Sequence, residues 1–377
     1  SKLLGHRDRE TISLIGMVLD KSVTANNNIL LKLEDQTGII SVLFHKNRPE
    51  LFALAKDLVM DEVIGVSGTL SDGPSPILFA NVLLLPDVPT SKELRKSPDD
   101  SFAVFSGDIH FGSTLFLEKE FRRFLAWLQG KEGSEEQKLL ASKVKYFFIP
   151  GDLVEGVGVY PNQEKDLTIL DVREQYAGLA RCLKQIPQHV KIIICPGNHD
   201  AGRLSEPQLP LYRDYAEPLL KLPNVTVLSN PCWANIGSSP DFSGFDVLMY
   251  HGFSMIHYGD KVGSLREKGG LKRAELIMKF LLQRRHLAPT HASNLYVPDP
   301  KRDPLVIDRV PDFFVTGHVH RISAATYRNV SLLNCGCWSK LSPYQEKFGL
   351  SPQPAKVLMV NLKTRESRVM NFAEDGE

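Results

Sequence analysis

The stretch Lys191–Asp200, KIIICPGNHD, holds a short apolar run followed at once by polar residues. The run Ile192–Cys195 predicts a strand that is buried on both faces, and the pair Pro196–Gly197 ends it. The next side chains can bind metal or move protons, and they are Asn198, His199 and Asp200. In an open α/β sheet, ligands bind just beyond the carboxyl ends of the strands. The stretch therefore predicts an α/β fold with its chemistry at this strand end.

Four further β-rich runs end in the same way, with a metal-ligating side chain that usually has a glycine beside it. The runs begin at Phe102, Val144, Phe245 and Asp312. Together the five strand ends offer a mixed oxygen and imidazole set, namely Asp108, His110, Asp152, Asn198, His251, His318 and His320. One histidine after one strand is more often a hydrogen-bonded core residue than a ligand. Five such ends in one chain favour a shared metal site.

The size of this set indicates how many ions it would hold. A tetrahedral zinc takes four ligands, so seven suit two ions of the manganese, iron or zinc type that share one carboxylate. Two ions about 3.5–4 Å apart can stabilise both the attacking and the leaving oxygen of a phosphoryl displacement. The residues therefore predict a dinuclear phosphoesterase.

The motif order D-x-H, G-D, G-N-H-D, H and G-H-x-H resembles the calcineurin-like metallophosphoesterases over roughly residues 102–372. The resemblance implies two facing sheets flanked by helices and two divalent ions, with manganese favoured and iron, zinc or magnesium as alternatives. It assigns one ion to Asp108, His110, Asp152 and His320. It assigns the other to Asp152, Asn198, His251 and His318, with Asp152 bridging. His199 would be the general acid or transition-state partner, and Asp200 would orient its ring.

Length, charge and cysteine content set the broad class of the protein. The 377 residues suit two domains, and the net charge of +1 gives no overall basic bias toward nucleic acid. Five scattered cysteines favour buried thiols in an intracellular protein. No signal-peptide core and no run of eighteen apolar residues occurs, so we expect no membrane association and a cytoplasmic location.

The amino-terminal part has a different pattern, with five predicted strands and a short helix between the third and the fourth. This is the layout of an OB barrel, which we assign to residues 1–86, with a linker at residues 87–101 and the phosphoesterase at residues 102–377. Residues 1–95 contain no tryptophan or tyrosine and slightly more acidic than basic side chains. Surfaces that bind single strands use aromatic platforms in a cationic groove. We therefore favour a role for the barrel in docking over a role in DNA binding.

A long insertion separates His251 from Gly317 and contains a predicted helix at Leu271–His286. Its cations are Lys272, Arg273, Lys279, Arg284 and Arg285. Two interpretations stay open, a solvated helix face and a contact with the DNA backbone. Elsewhere the patterns predict covering helices at residues 116–129, 170–185 and 208–220, a surface loop at 130–142, and closing strands of a second sheet at 331–335, 355–362 and 367–372. His257, His286 and His291 have no assigned role.

A barrel followed by a phosphoesterase with this long insertion resembles the B-subunits of replicative DNA polymerases. Eukaryotic members have lost the metal ligands, whereas all seven stand here, so the small subunits of the archaeal D-family polymerases are more similar. That resemblance implies a proofreading 3′–5′ exonuclease near the nucleoid. It also implies three partners, namely single-stranded or mismatched DNA 3′ ends, a large catalytic subunit in a heterodimer, and a sliding clamp. The alternatives are a non-catalytic scaffold subunit and a small-molecule phosphodiesterase.

Overall fold

The amino-terminal region is a closed five-stranded barrel in the computed structural model, which describes residues 11–72, 74–347 and 351–373 apart from the side chains of residues 343 and 344. The strands are β1 (Thr11–Val23), β2 (Ile29–Asp35), β3 (Gly38–Phe44), β4 (Val63–Leu70) and β5 (Ile77–Leu84), in the order β1-β2-β3-β5-β4, and helix α1 (Pro49–Lys56) joins β3 to β4. Alternate residues of β2, such as Leu31 and Leu33, fill the interior. The predicted order of strands and helix is confirmed, and the barrel is OB-like.

The rest of the chain forms two sheets. The six-stranded sheet has the order β16-β15-β6-β7-β8-β9, and the five-stranded sheet has the order β10-β11-β12-β14-β13. The strands of the first are β6 (Phe102–Phe105), β7 (Val144–Pro150), β8 (Lys191–Cys195), β9 (Val225–Val227), β15 (Lys356–Asn361) and β16 (Ser367–Asn371). Those of the second are β10 (Cys232–Ile236), β11 (Phe245–Tyr250), β12 (Phe313–Thr316), β13 (Ser323–Tyr327) and β14 (Val330–Asn334).

The two sheets face each other across a common apolar layer. Phe105 and Phe148 of the first sheet stack with their ring centroids 5.0 Å apart, and Phe313 of the second lies 6.1 Å from Phe105. Strands β6 to β9 run parallel in one sheet, and β11, β12 and β14 run parallel in the other. Each parallel set therefore presents its carboxyl ends at one edge of its sheet, where the polar motifs follow.

Helices cover the outer faces of the two sheets. Their bounds are α2 (Glu118–Leu128), α3 (Glu135–Ser142), α4 (Val172–Leu183), α5 (Arg213–Leu220), α6 (Met255–Lys261), α7 (Gly263–Glu267), α8 (Ala274–Arg284) and α9 (Pro343–Lys347). Short 3₁₀ turns lie at Gln163–Asp166, Gly270–Arg273 and His291–Ser293. Helices α2 and α4 pack on the first sheet, and α6 and α8 pack on the second. Within the described residues, no helix is both long and apolar enough to span a bilayer.

Several predicted elements differ from the observed ones. Strands β15 and β16 extend the first sheet, because β15 pairs with β6, whereas only β14 of the three closing strands joins the second sheet. The predicted loop at 130–142 contains α3, which begins at a capping box between Ser134 and Gln137. The predicted helix at 271–286 is split into a 3₁₀ turn and α8.

The barrel contacts α8 of the insertion through a buried ion pair. Glu62 of the barrel and Arg284 of α8 lie 2.8 Å apart, and their side chains are 1% and 4% exposed. The Arg284 guanidinium also donates to the Asp57 carbonyl at 3.0 Å and stacks on the Phe280 ring. The loop between α1 and β4 is therefore held against the insertion by charge as well as by packing.

Candidate metal centre

The residues at the five strand ends converge at one edge of the two facing sheets. The segments after β6, β7, β8, β11 and β12 carry them. Five of these residues have a left-handed backbone, with φ values of 50° at Asp108, 53° at His110, 50° at Asp152, 68° at His318 and 54° at His320. Non-glycine residues rarely adopt this conformation, and such strain collects at functional sites. The surrounding fold therefore holds five aspartate and histidine residues in a conformation that such residues adopt only in a minority of cases.

Potential ligand atoms form three groups: two share Asp152, and the third consists of His110, Glu155 and His199, whose atoms also lie within 4.8 Å of one another. The atoms of Asp108, His110, Asp152 and His320 lie within 4.8 Å of one another, and so do those of Asp152, His251 and His318. Asn198 joins the second group, because its Oδ1 lies 3.0 Å from His251 Nε2. The structure thus brings together all seven side chains that the sequence singled out, and their role as ligands stays a prediction.

The hydrogen bonds of the histidines leave nitrogen lone pairs directed into the cluster. His251 Nδ1 donates to the Pro150 carbonyl at 2.8 Å, so Nε2 is the nitrogen that faces the cluster. Burial opposes protonation of this ring, but the Asp152 charge raises the pKa of His251 to about 9, so binding of a metal would release a proton from Nε2. His110 Nδ1 lies 2.9 Å from a carboxylate oxygen of Glu155, which is the usual support for a metal-bound histidine. His318 Nε2 is buried without a hydrogen-bond partner among the described residues. This donor set fits divalent ions of the manganese, iron or zinc type.

Burial and neighbouring charge set the protonation of two of these side chains. Burial alone would raise the pKa of Asp152, but the charges of His251, His199 and His110, together with a hydrogen bond from His251, outweigh it and hold that pKa well below its usual range. Burial lowers the pKa of His318 well below its usual value, and the charge of His251 adds to this effect. An ionised carboxylate and a neutral imidazole are the forms that bind metal.

Two glycines beside the cluster allow a close backbone approach. A Cβ atom at Gly197 would lie 2.3 Å from Asp152 Oδ1, and one at Gly317 would lie 2.7 Å from Asp108 Oδ2. Both distances are far below van der Waals contact. Glycine is therefore required at these positions for the two carboxylates to sit where they do.

His199 lies at the rim of the cluster, beside His110. The two ring centroids are 4.7 Å apart, and the His199 side chain is 19% exposed. Its backbone N–H donates to Asp152 Oδ1 at 2.9 Å, and its Nδ1 lies 3.0 Å from the Glu155 carbonyl. The carbonyl of Glu155 therefore orients the ring.

Asp200 does not orient the His199 ring, contrary to the expectation from the sequence. Its carboxylate accepts hydrogen bonds from the Gly197 N–H at 2.8 Å, the Leu153 N–H at 3.2 Å and the Tyr176 hydroxyl at 3.0 Å. Burial raises the pKa of Asp200 to about 7, and the charge of Asp152 adds to the shift. Asp200 thus fixes the backbone of the loops that carry Asp152 and Asn198.

Glu155 is the functional residue that sequence reasoning missed. Its side chain is buried, contacts His110 and accepts a hydrogen bond from the Tyr160 hydroxyl at 3.3 Å. In the sequence, Glu155 stands three residues after Asp152. Asn230 was also missed, and its Oδ1 accepts from the His251 N–H at 2.8 Å. An acidic residue that closely follows a ligand aspartate was the available signal for Glu155, whereas nothing local pointed to Asn230.

The predicted cations of the insertion do not share one environment. Arg284 is buried against Glu62, so the structure contradicts its predicted contact with DNA. Arg285 is half-buried and donates to the Ile307 carbonyl at 2.7 Å. Arg273 pairs with Glu275, and Lys279 lies 4.8 Å from the centroid of the Tyr327 ring. A DNA contact by Lys272, Arg273, Lys279 and Arg285 stays a prediction. Of the unassigned histidines, His286 contacts Asp303 at 2.9 Å.

The fold and this site define the class of the protein. Its members combine an OB-like barrel with two facing sheets, and at one edge of those sheets lies a buried cluster of aspartate and histidine residues that could hold metal. The family model of the DNA polymerase alpha/epsilon B-subunits matches residues 118–324. The chain therefore belongs to this B-subunit family and, as its sequence predicts, to the small subunits of the archaeal D-family polymerases.

Curated relatives named DNA polymerase II small subunit carry this assignment. The chain is 39% identical over 352 residues to the protein of Methanothermobacter thermautotrophicus, and the match covers 93% of this chain and 70% of the relative. It is 38% identical over 361 residues to that of Methanocaldococcus jannaschii, with coverages of 96% and 58%. It is 38% identical over 368 residues to the protein of Pyrococcus abyssi, and the match covers 97% of this chain and 57% of the relative. The chain thus spans between 57% and 70% of the length of these relatives.

Proposed function

We propose that this protein is a metal-dependent 3′–5′ DNA exonuclease, the proofreading small subunit of a D-family replicative DNA polymerase. The observation that carries the proposal is the convergence of seven potential ligands in two groups that share Asp152. A non-catalytic scaffold has no need of that arrangement, nor of left-handed backbone at five of its positions. Residues 102–377 would then be a calcineurin-like phosphoesterase domain, and residues 1–86 would be an OB-fold docking domain.

The proposed ligand sets follow the two groups of side chains. Asp108, His110, Asp152 and His320 would hold one divalent ion, and Asp152, Asn198, His251 and His318 would hold the other, with manganese favoured over iron, zinc or magnesium. When bound, such ions lower the pKa of water and stabilise charge on the phosphoryl oxygens.

The remaining chemistry belongs to the chain itself. Hydrolysis forms a P–O bond from water and breaks the bond between phosphorus and the 3′-oxygen of the preceding nucleotide. That oxygen needs a proton, which His199 can donate, since it lies at the exposed rim beside the cluster. The Glu155 carbonyl accepts from His199 Nδ1–H and fixes the ring, so Nε2 carries the proton for this transfer when the ring is the imidazolium, and the transfer leaves it neutral. Asp200 keeps the loop rigid while this occurs.

The proposed partners follow from the same function. DNA 3′ ends, single-stranded or mismatched, would be the substrate, with the backbone contacted by Lys272, Arg273, Lys279 and Arg285. A large catalytic subunit would complete the heterodimer, and a sliding clamp is a further predicted partner. The protein would work in the cytoplasm, at the nucleoid.

A time course on 5′-labelled single-stranded DNA tests the proposal. With added manganese we expect stepwise shortening from the 3′ end, and with a chelator we expect none. Release of products from the 5′ end would contradict the polarity. A folded protein that binds manganese and leaves DNA, nucleotides and phosphoproteins intact would instead indicate the scaffold subunit.

Glu155→Ala should weaken manganese binding by about 10–100-fold, the usual effect of removing the partner that orients a metal-bound histidine. Glu155→Gln keeps an acceptor near His110 Nδ1, so its affinity for manganese should lie between those of Glu155→Ala and the wild type. Calorimetric titration with manganese measures both. Glu164→Ala is the matched control, because this glutamate is exposed in the neighbouring 3₁₀ turn. Wild-type affinity in Glu155→Ala would show that His110 needs no such support.

A further inference from the structure

A pocket of about 440 Å³ opens beside His199. Its aliphatic and aromatic lining residues include Val157, Val172, Leu204, Tyr212 and Tyr215, and its polar lining residues are Asn198, His199 and Asp200. Three of them are strongly exposed, since Val157 is 49%, Leu204 is 50% and Tyr212 is 41% accessible. Its volume lies within the range of about 300–1,000 Å³ that is usual for small-molecule sites. The pocket is thus a surface of mixed polarity and ligand size, with exposed aliphatic and tyrosine side chains, in contact with the proposed general acid.

Buried amides hold the wall of this pocket in place. Gln175 accepts from the Gly156 N–H at 2.9 Å and donates to the Gly156 carbonyl at 3.2 Å. Gln163 accepts from the Val159 N–H at 2.8 Å. Both glutamine side chains are buried. The backbone of Gly156 also packs so closely on His199 that a Cβ atom would lie 2.2 Å from the His199 carbonyl oxygen. The wall is therefore built before any ligand arrives.

The chemistry of the lining favours a nucleobase over a phosphate. No lysine or arginine is among the described residues that line the pocket, so an anion would find no countercharge there. Arg173 lies over the Tyr215 ring, with 5.2 Å between its guanidinium and the ring centroid, whereas Tyr212 is the more exposed of the two rings. An exposed tyrosine next to aliphatic side chains is the usual platform for stacking a base without reading its sequence.

We propose that this pocket binds the base of the nucleotide whose 3′-oxygen is the leaving group. The inference rests on the proposed exonuclease function, because His199 donates its proton to that oxygen and the nucleoside that carries it must lie on the His199 side. In the first cut of a 3′ end, this is the penultimate nucleotide. The terminal nucleotide, which leaves as the 5′-phosphate, lies on the other side of the cluster. Because the pocket takes a base by stacking, it accepts any of the four.

The experiment combines substrate and protein changes. Three 5′-labelled oligonucleotides are compared, namely one intact, one with an abasic residue at the penultimate position and one with it at the 3′-terminal position. The first cleavage is followed for the wild type and for Tyr212→Ala, Tyr212→Phe and Leu220→Ala. Leu220 is exposed on the same helix as Tyr215 and does not line the pocket. Thermal melts check that each variant is folded.

In the wild type, loss of the penultimate base should lower kcat/KM by about 10-fold or more, the effect of losing one base–aromatic stack. Tyr212→Ala should lower kcat/KM for intact DNA by a similar factor, mainly through KM, and should abolish the penultimate penalty. Tyr212→Phe and Leu220→Ala should keep the wild-type pattern. A penalty at the terminal position only, or one that Tyr212→Ala leaves in place, overturns the pocket assignment alone. Absence of cleavage of all three substrates by folded, manganese-binding protein overturns the exonuclease proposal and this inference with it.

Discussion

His199→Ala is expected to lower the rate of DNA hydrolysis by about 10²–10⁴-fold, the contribution typical of a positioned general acid. Manganese binding should stay at the wild-type level, because the His199 ring stands outside the seven proposed ligands and only its backbone N–H touches Asp152. Loss of cleavage with unchanged manganese affinity is the result that distinguishes a general acid from a metal ligand. Single-turnover cleavage of 5′-labelled DNA and calorimetric titration with manganese measure the two quantities.

A matched control for this variant lies at the opposite end of the same strand. His189 precedes β8 and is exposed, whereas His199 follows the strand at its other end. His189→Ala should therefore cleave DNA at the wild-type rate. If His199→Ala also cleaves at that rate, proton donation to the leaving oxygen must come from water or from another group. If it loses manganese together with activity, His199 supports the ligands instead of acting in the chemistry.

Local sequence was sufficient to place the strand ends, because each combines a short β-rich run with an abrupt polar stop. Parallel pairing then brings such ends to one edge without further information. This is why Asp108, Asp152 and Asn198, which lie far apart in the chain, could be grouped before the fold was seen. The barrel was predictable for a similar reason, since its alternating strands and tight turn at Asp35 are local features.

The sequence patterns could not predict contacts between segments that lie far apart in the chain. The pairing of β15 with β6 depends on how the chain returns after the last motif, and no periodicity encodes that choice. Glu155 touches His110 only because β6 and β7 are neighbours, so its role emerges from the sheet. The left-handed backbone at Asp108 and His110 is likewise set by the surroundings, since aspartate and histidine adopt it more often than most residues but still only in a minority of positions. The missed features are thus the tertiary ones that tune the site.

The role of the Arg284 charge likewise could not be predicted from local sequence. In the sequence it belongs to the same cationic stretch as Lys279, and that pattern leaves a phosphate contact and a solvated helix face equally open. The fold instead places Glu62 of the barrel against it, and burial raises the pKa of Glu62 although the Arg284 charge opposes this. A charge in a basic run can therefore be a structural contact whenever a partner from another domain covers it.

Arg284→Met is expected to lower the free energy of unfolding by about 3–5 kcal/mol, because it leaves the Glu62 carboxylate buried without its partner. Glu62→Gln should have a cost of the same order, since it leaves the guanidinium unpaired. The double variant should lose less than the sum of the two, because neither charge then remains buried. Chemical denaturation of the four proteins measures the coupling.

Arg302→Met is the matched control for this cycle, because Arg302 pairs with Asp308 at the surface, where 72% of its side chain is exposed. Its expected cost is below about 1 kcal/mol. If Arg284→Met costs no more than this control, Glu62 must be protonated or reached by water, and the barrel is held by its apolar contacts alone. If instead the double variant is as unstable as the sum of the single ones, the two side chains act independently. The stacking of Arg284 on Phe280 would then account for its effect.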